Sequence, residues 1–209
     1  MQPIRSIPHR VAGIDIPVDE VSRATWEWAH RALPGYLLAH SVRAYLWAVK
    51  IGSREGLTYD PQVLWTASLM HDVGLTTLPR NTMCFEIEGA ERARRFLERH
   101  GMDPAAADRA AIAIILHMRP AVTIDDGTEA LLLDRSTGLD VRGDGYELVD
   151  DVREEVLRVF PRGAFDRWFL DAIRREASRR TGCQSARLLN QTGLASWMAR
   201  SPWSTTRTG

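Results

Sequence analysis

The sequence predicts an all-α protein, and three observations carry that prediction. Apolar residues recur at spacings of three and four in segment after segment. An aspartate followed by a proline, which reads as a helix cap and first residue, occurs at Asp60-Pro61 and again at Asp103-Pro104. No alternation of period two persists for more than a few residues.

In chain order, residues 1–18 carry Pro3, Pro8, Gly13 and Pro17 and are expected to form an irregular leader, lying over the domain or frayed from it. The first helix starts at the cap Asp19, runs through Trp26 and Ala29 to Leu33, and stops at Pro34-Gly35. A second, from Tyr36 to Glu55, sets Leu37, Leu38, Val42, Leu46 and Val49 on its apolar face, holds His40 in its first turns and is closed by Gly56. The third opens at Asp60-Pro61 and delivers Leu69-Met70-His71-Asp72-Val73-Gly74 at its end. Leu75 to Cys84 is too irregular for a helix and is expected to form a lid or pocket wall.

The fourth helix, Glu86 to Arg99, turns Ile87, Ala90, Ala93, Phe96 and Leu97 inward and ends at His100-Gly101. The fifth, Ala105 to Met118, is apolar nearly all round, so it is expected at the centre of the protein, with His117 at its end. Further helices are expected over Glu129–Val141, Tyr146–Phe160 and Phe165–Arg179, and a short one over Ala186–Leu194 before a polar tail. The chain thus divides into a leader (1–18), one helical domain (19–181) and a C-terminal helix and tail (182–209). Trp197 and Trp203 in the last segment are expected to pack on the core or on a neighbouring copy, which leaves homo-oligomers open.

Composition narrows the function classes. At 209 residues and 44% hydrophobic, the chain is large enough for one full core. Lys+Arg 27 against Asp+Glu 27 gives no electrostatic case for nucleic acid or an anionic membrane as the main partner. There is no run of 18 apolar residues, and Met1 to Asp15 lacks a signal-peptide pattern. Cys84 and Cys183 lie 99 positions apart, without the spacing of a disulfide scaffold or a CxxC site, so both thiols are expected reduced and the protein cytoplasmic.

The chemistry gathers around His71-Asp72. Neighbouring residues on a helix point about 100° apart, so this pair closes on one ion only with help from distant residues. His40 and Asp140, each on or at the end of an expected buried helix, can supply that help. Two imidazoles and two carboxylates suit zinc, iron, manganese, nickel or cobalt rather than calcium. A lone histidine on an apolar face is more often a satisfied core residue than a ligand. It is the ordered set of four that argues for a single divalent metal.

That order resembles a known signature. Ala39-His40-Ser41-Val42-Arg43-Ala44-Tyr45, Leu69 to Thr76 and Leu139-Asp140 look like the H…HD…D pattern of the HD-domain superfamily of helical, metal-dependent hydrolases. Thr76-Thr77 after the His-Asp-Val-Gly, Phe85-Glu86-Ile87-Glu88-Gly89-Ala90, Ala111 to His117 and Gly138-Leu139-Asp140-Val141 resemble the cyanamide hydratase group within it. The resemblance covers about residues 36–143. It implies that His40, His71, Asp72 and Asp140 hold the metal, most simply zinc, and that an activated water adds across the C≡N bond of cyanamide to give urea.

Nitrile hydration also needs a proton donor, and His117 is the candidate for it, with a neutral hydrogen-bonding role as the plainer alternative. Thr76 or Thr77 is expected to hold the substrate's amino group, Phe85 to form a pocket wall, and Arg43 either to bind an anion or to pair with a helix-end carboxylate, the pair being favoured. Glu86 and Glu88 fit the exposed amides of a helix start, and Cys84 fits a small buried apolar role.

Two other functions compete. A phosphohydrolase acting on a nucleotide or other phosphomonoester would use the same metal and water, and needs basic groups for the phosphate, for which Arg43 and Arg119 are available. A second metal would need two more histidines, which His100 and His117 could supply only across 17 residues. The other competitor is a non-catalytic HD scaffold, against which the four intact ligand positions argue.

Overall fold

Helix α2 (Gly35–Glu55) is the element on which the others are laid, buried from Leu37 through Ala48. In the computed structural model, which describes residues 7–76, 83–191 and 193–203, it is preceded by α1 (Glu20–Ala32) and followed by α3 (Pro61–Met70), α4 (Phe85–Arg99) and α5 (Pro104–Leu116). Then come α6 (Thr128–Arg142), α7 (Arg153–Val159), α8 (Phe165–Arg179), α9 (Gln184–Gln191) and α10 (Leu194–Arg200). Helix α2 packs against α3 and α6, and α5 packs against α3, α4 and α6, so α2, α3, α5 and α6 converge on one centre. The fold is all-α, as the periodicity requires.

Helix starts follow local chemistry. Asp19 caps α1 by accepting from the Ser22 amide at 2.9 Å, and Asp60 and Asp103 cap α3 and α5, each with proline in the first helical turn. Gly56, with φ of 66°, and Gly143, with φ of 86°, close α2 and α6 in the left-handed conformation.

Several expectations are corrected. The described part of the leader is not irregular: β1 (Arg10–Val11) and β2 (Ile14–Asp15) form a small antiparallel hairpin through Ala12 and Gly13, both at positive φ. Two-residue strands are too short for alternation to show in the sequence, and Val11, Ile14 and Ile16 nevertheless bury themselves in the core. The helix expected over 146–160 is broken: a 3₁₀ turn (Tyr146–Val149) precedes α7, and between them Asp151 pairs with Lys50 and Arg54 of α2. Ile87 and Ile112, expected inside, are 38% and 46% exposed, so α5 has a solvent side.

The end of the chain is two helices joined by Gly193 rather than one helix and a polar tail. Beyond α10, Trp203 is buried, stacks on Trp47 at 6.2 Å and donates its indole N–H to the Leu139 carbonyl at 2.8 Å. The thiols expected reduced are joined: Cys84 and Cys183 form a disulfide with Cα atoms 5.6 Å apart. A separation of 99 residues says nothing about distance in space, and the disulfide ties the start of α4 to the approach of α9. No helix among the described residues is long and apolar enough to cross a membrane.

Candidate metal centre

His71 is the C-terminal cap of α3, and Asp72 follows it into a 3₁₀ turn (Val73–Thr76) closed by the Leu75 amide donating to the Asp72 carbonyl at 3.0 Å. Gly74 makes this turn possible. A Cβ there would lie 2.1 Å from the Phe85 carbonyl oxygen, so only glycine lets the first turn of α4 close directly under the His-Asp pair. His40 comes from α2, stacked on Phe165 of α8 at 4.1 Å. His117 caps the C-terminal end of α5.

His40, His71 and Asp72 meet. His40 Nε2 lies 3.1 Å from His71 Nε2 and 3.6 Å from Asp72 Oδ2, and His71 Nε2 lies 3.2 Å from the same oxygen. Each offers a ligand atom within 4.8 Å of the others. His117 joins from the far side, its Nε2 3.7 Å from Asp72 Oδ1.

The tautomers follow from what the other ring nitrogens face. Nδ1 of His71 lies 2.8 Å from the Ser68 carbonyl, Nδ1 of His117 2.5 Å from the Ile114 carbonyl, and Nδ1 of His40 2.7 Å from Asp140 Oδ2. Those oxygens only accept, so each Nδ1 carries a proton, and any of these rings with a single proton has its Nε2 lone pair toward the cluster. Both oxygens of Asp72 are buried with no hydrogen-bond partner among the described residues. Three converging lone pairs beside an orphaned carboxylate fit a divalent transition metal and satisfy little else.

Electrostatics agree with that fit. Burial pushes His40 down to about 4 despite the opposing pull of Asp140, so the ring is neutral. Burial would raise the Asp72 carboxyl, but the positive charge of a protonated His71 beside it more than reverses this, and Asp72 in turn raises His71 against burial, so a metal at the cluster competes with a proton for the His71 Nε2 lone pair.

Asp140, expected as the fourth ligand, is placed differently. Its Oδ1 accepts from Arg43 Nε and Trp47 Nε1, both at 2.8 Å, and its Oδ2 from Arg43 Nη2 and His40 Nδ1, both at 2.7 Å. Burial would raise this carboxyl too, but Arg43 and Arg162 hold it well below the usual carboxylate range. In this arrangement it meets His40 on the ring nitrogen turned away from the cluster. Arg43, expected either to bind an anion or to pair with a helix-end carboxylate, is fully buried and makes the pair, committed to Asp140 and to the Phe160 and Pro161 carbonyls.

Above the cluster lies a cavity of about 190 Å³ whose floor is His40, His71, Asp72 and His117. Of the described residues expected to contact substrate, His117 and Arg119 line it, while Thr76, Phe85 and Arg43 do not. Thr76 donates its hydroxyl to the Val73 carbonyl, and Phe85 is buried with its ring edge-on to His117 at 6.0 Å. Thr77 lies outside the described residues. His100 is remote from the cluster, its Nδ1 on the Phe96 carbonyl.

Apart from Arg119, the walls are residues that sequence reasoning did not place at the site. Asp134, Thr137, Gly138, Val141 and Arg142 line the cavity from α6, Phe169 from α8, Arg187 and Leu188 from α9, and Trp197 from α10, with Arg119 after α5. The α6 set had a detectable signal, since steps of three, four, seven and eight from Asp134 put it on one helix face. Helices α9 and α10 gave none, because their position depends on tertiary packing.

Comparison with known proteins agrees with this geometry. The HD domain family matches residues 37–155, more than half of the chain. Two curated relatives from Saccharomyces cerevisiae, cyanamide hydratase DDI2 and cyanamide hydratase DDI3, are each 28% identical over 184 residues, covering 85% of this chain and 82% of theirs. With an HD match spanning α2 to α7 and the histidines and aspartate of its signature gathered at one buried centre, the chain belongs to the HD-domain family of metal-dependent hydrolases.

Proposed function

We propose that the protein is a hydratase that adds water across the C≡N bond of a small nitrile-type substrate, cyanamide to urea, at one divalent metal, zinc being the assignment the donor set favours. The observation that carries this is the cavity itself: about 190 Å³ set directly on the cluster, below the roughly 300–1,000 Å³ of pockets that enclose drug-sized ligands. It admits a substrate of a few heavy atoms with room for water beside it. The two yeast relatives named cyanamide hydratase point the same way.

His40, His71 and Asp72 would hold the metal, with His117 as the fourth donor through Nε2 and Asp140 fixing the His40 ring. A metal there supplies Lewis acidity that makes a water deliver its proton near neutral pH. His117 is thereby an acceptor at Nε2 rather than the proton donor, because its N–H is spent on Ile114. Phe169, Val141, Leu188 and Trp197 give the cavity apolar walls, which strengthen the electrostatics within.

A second reading has its own observation. Arg119, Arg142 and Arg187 line the same cavity, and guanidinium groups are what a phosphomonoester hydrolase needs. A urea-release assay on cyanamide, run beside a panel of phosphomonoesters and nucleotides with metal content measured, separates the two. Urea release supports the hydratase; phosphate release without urea replaces it with the phosphohydrolase. Bound metal with neither product leaves the non-catalytic scaffold.

A further inference from the structure

Nitrile hydration moves two protons onto nitrogen, and some group in the cavity must carry them. The titratable side chains that line it are few. With a metal held at the cluster, His40, His71 and His117 would give it their Nε2 lone pairs, and their Nδ1–H groups are committed elsewhere. Asp72 sits among those lone pairs. The three lining arginines stay protonated throughout the neutral range and cannot give up a proton. Thr137 donates its hydroxyl to the Leu133 and Asp134 carbonyls.

Asp134 remains. It stands on the α6 face that forms the cavity wall, half-buried, and its carboxyl has no hydrogen-bond or ion-pair partner among the described residues. Asp140, six residues on in the same helix, accepts from Arg43, Trp47 and His40 and has lost its basicity to them. Burial has the opposite effect on Asp134, pushing its carboxyl up to about 6 against the weaker pull of His117 and Arg142. A carboxyl left unpaired in a cavity and poised near neutrality both takes and gives a proton.

We propose that Asp134 is the acid–base residue of this site, shuttling protons from the attacking water to the nitrile nitrogen; the proposal rests on the hydratase reading above. The balance is as follows. The water oxygen forms a bond to the nitrile carbon, and one π pair of the C≡N bond moves onto the terminal nitrogen. Water gives a proton to the Asp134 carboxylate, which passes it to that nitrogen, leaving the isourea. Asp134 then takes the hydroxyl proton and returns it to the imine nitrogen, giving urea and a regenerated carboxylate. No oxidant, reductant or further reactant is required.

The test uses the metal-loaded full chain, with rates expressed per bound metal so that lost metal is not read as lost proton transfer. Asp134→Asn keeps the shape and removes the proton carrier; kcat on cyanamide is expected to fall by about 10²–10³-fold while KM stays within about threefold. Asp134→Ala opens space for a small acid, and added formate is expected to restore at least about tenfold of the lost rate, which a structural role would not permit. A kcat for Asp134→Asn within about threefold of wild type, or an Asp134→Ala enzyme indifferent to formate, overturns the assignment. A wild type that releases no urea overturns the hydratase reading and this proton route with it, and that outcome is visible without any substitution.

Discussion

Asp140→Asn separates a direct ligand from a carboxylate that works through His40. The native side chain takes four hydrogen bonds of 2.7–2.8 Å, two at each oxygen. An asparagine can keep its oxygen toward Arg43 Nε and Trp47 Nε1, which leaves its NH₂ facing two other donors, Arg43 Nη2 and His40 Nδ1. Two charge-assisted bonds are lost, and Arg43, fully buried, loses its counter-charge. Breaking a buried pair on one side costs about 3–5 kcal/mol, which at about 2–4 °C per kcal/mol for a chain of this size lowers Tm by about 6–20 °C. Metal affinity should fall by about 10–100-fold, because the His40 ring is no longer held in its tautomer. Thermal unfolding and elemental analysis read both quantities. The double variant Arg43→Met/Asp140→Asn should recover part of the stability, since no unpaired charge is left behind. Stability within about 1 kcal/mol of wild type together with complete loss of metal would refute this reasoning and make Asp140 a ligand.

Gly74→Ala forces a Cβ to 2.1 Å from the Phe85 carbonyl oxygen, so urea unfolding should show a loss of at least about 1–3 kcal/mol and metal content should drop with it. Reduction of Cys84–Cys183, which closes a loop of 99 residues, should cost about 4–5 kcal/mol on the chain-entropy account; melting curves should shift with reductant in the wild type and stay unmoved in Cys84→Ser/Cys183→Ser. Trp203→Ala removes a buried indole stacked on Trp47 and should destabilise by about 3–5 kcal/mol in denaturant titrations. Burial raises Asp134 from 3.8 to about 6, so the folded state binds its proton more tightly than the unfolded state does. Its contribution to stability therefore declines as pH rises through that interval, and Asp134→Asn should remove this component of the pH–stability curve.

What the sequence determined by itself was local. Asp60-Pro61 and Asp103-Pro104 start helices because capping and the fixed φ of proline act within a single turn, and Gly56 ends one for the same kind of reason. The periodicity of α2 marked its buried face, and the ordered His40, His71 and Asp72 could be read as a metal cluster. Tertiary structure decided the rest. Asp140 and His117 were both legible as site residues, but their roles depended on Arg43 and Trp47 reaching one of them and the Ile114 carbonyl fixing the tautomer of the other. The cavity walls, the disulfide and the burial of Trp203 stayed hidden because each joins segments far apart in the chain. A helix's pattern states which of its faces is covered, and only packing states what covers it.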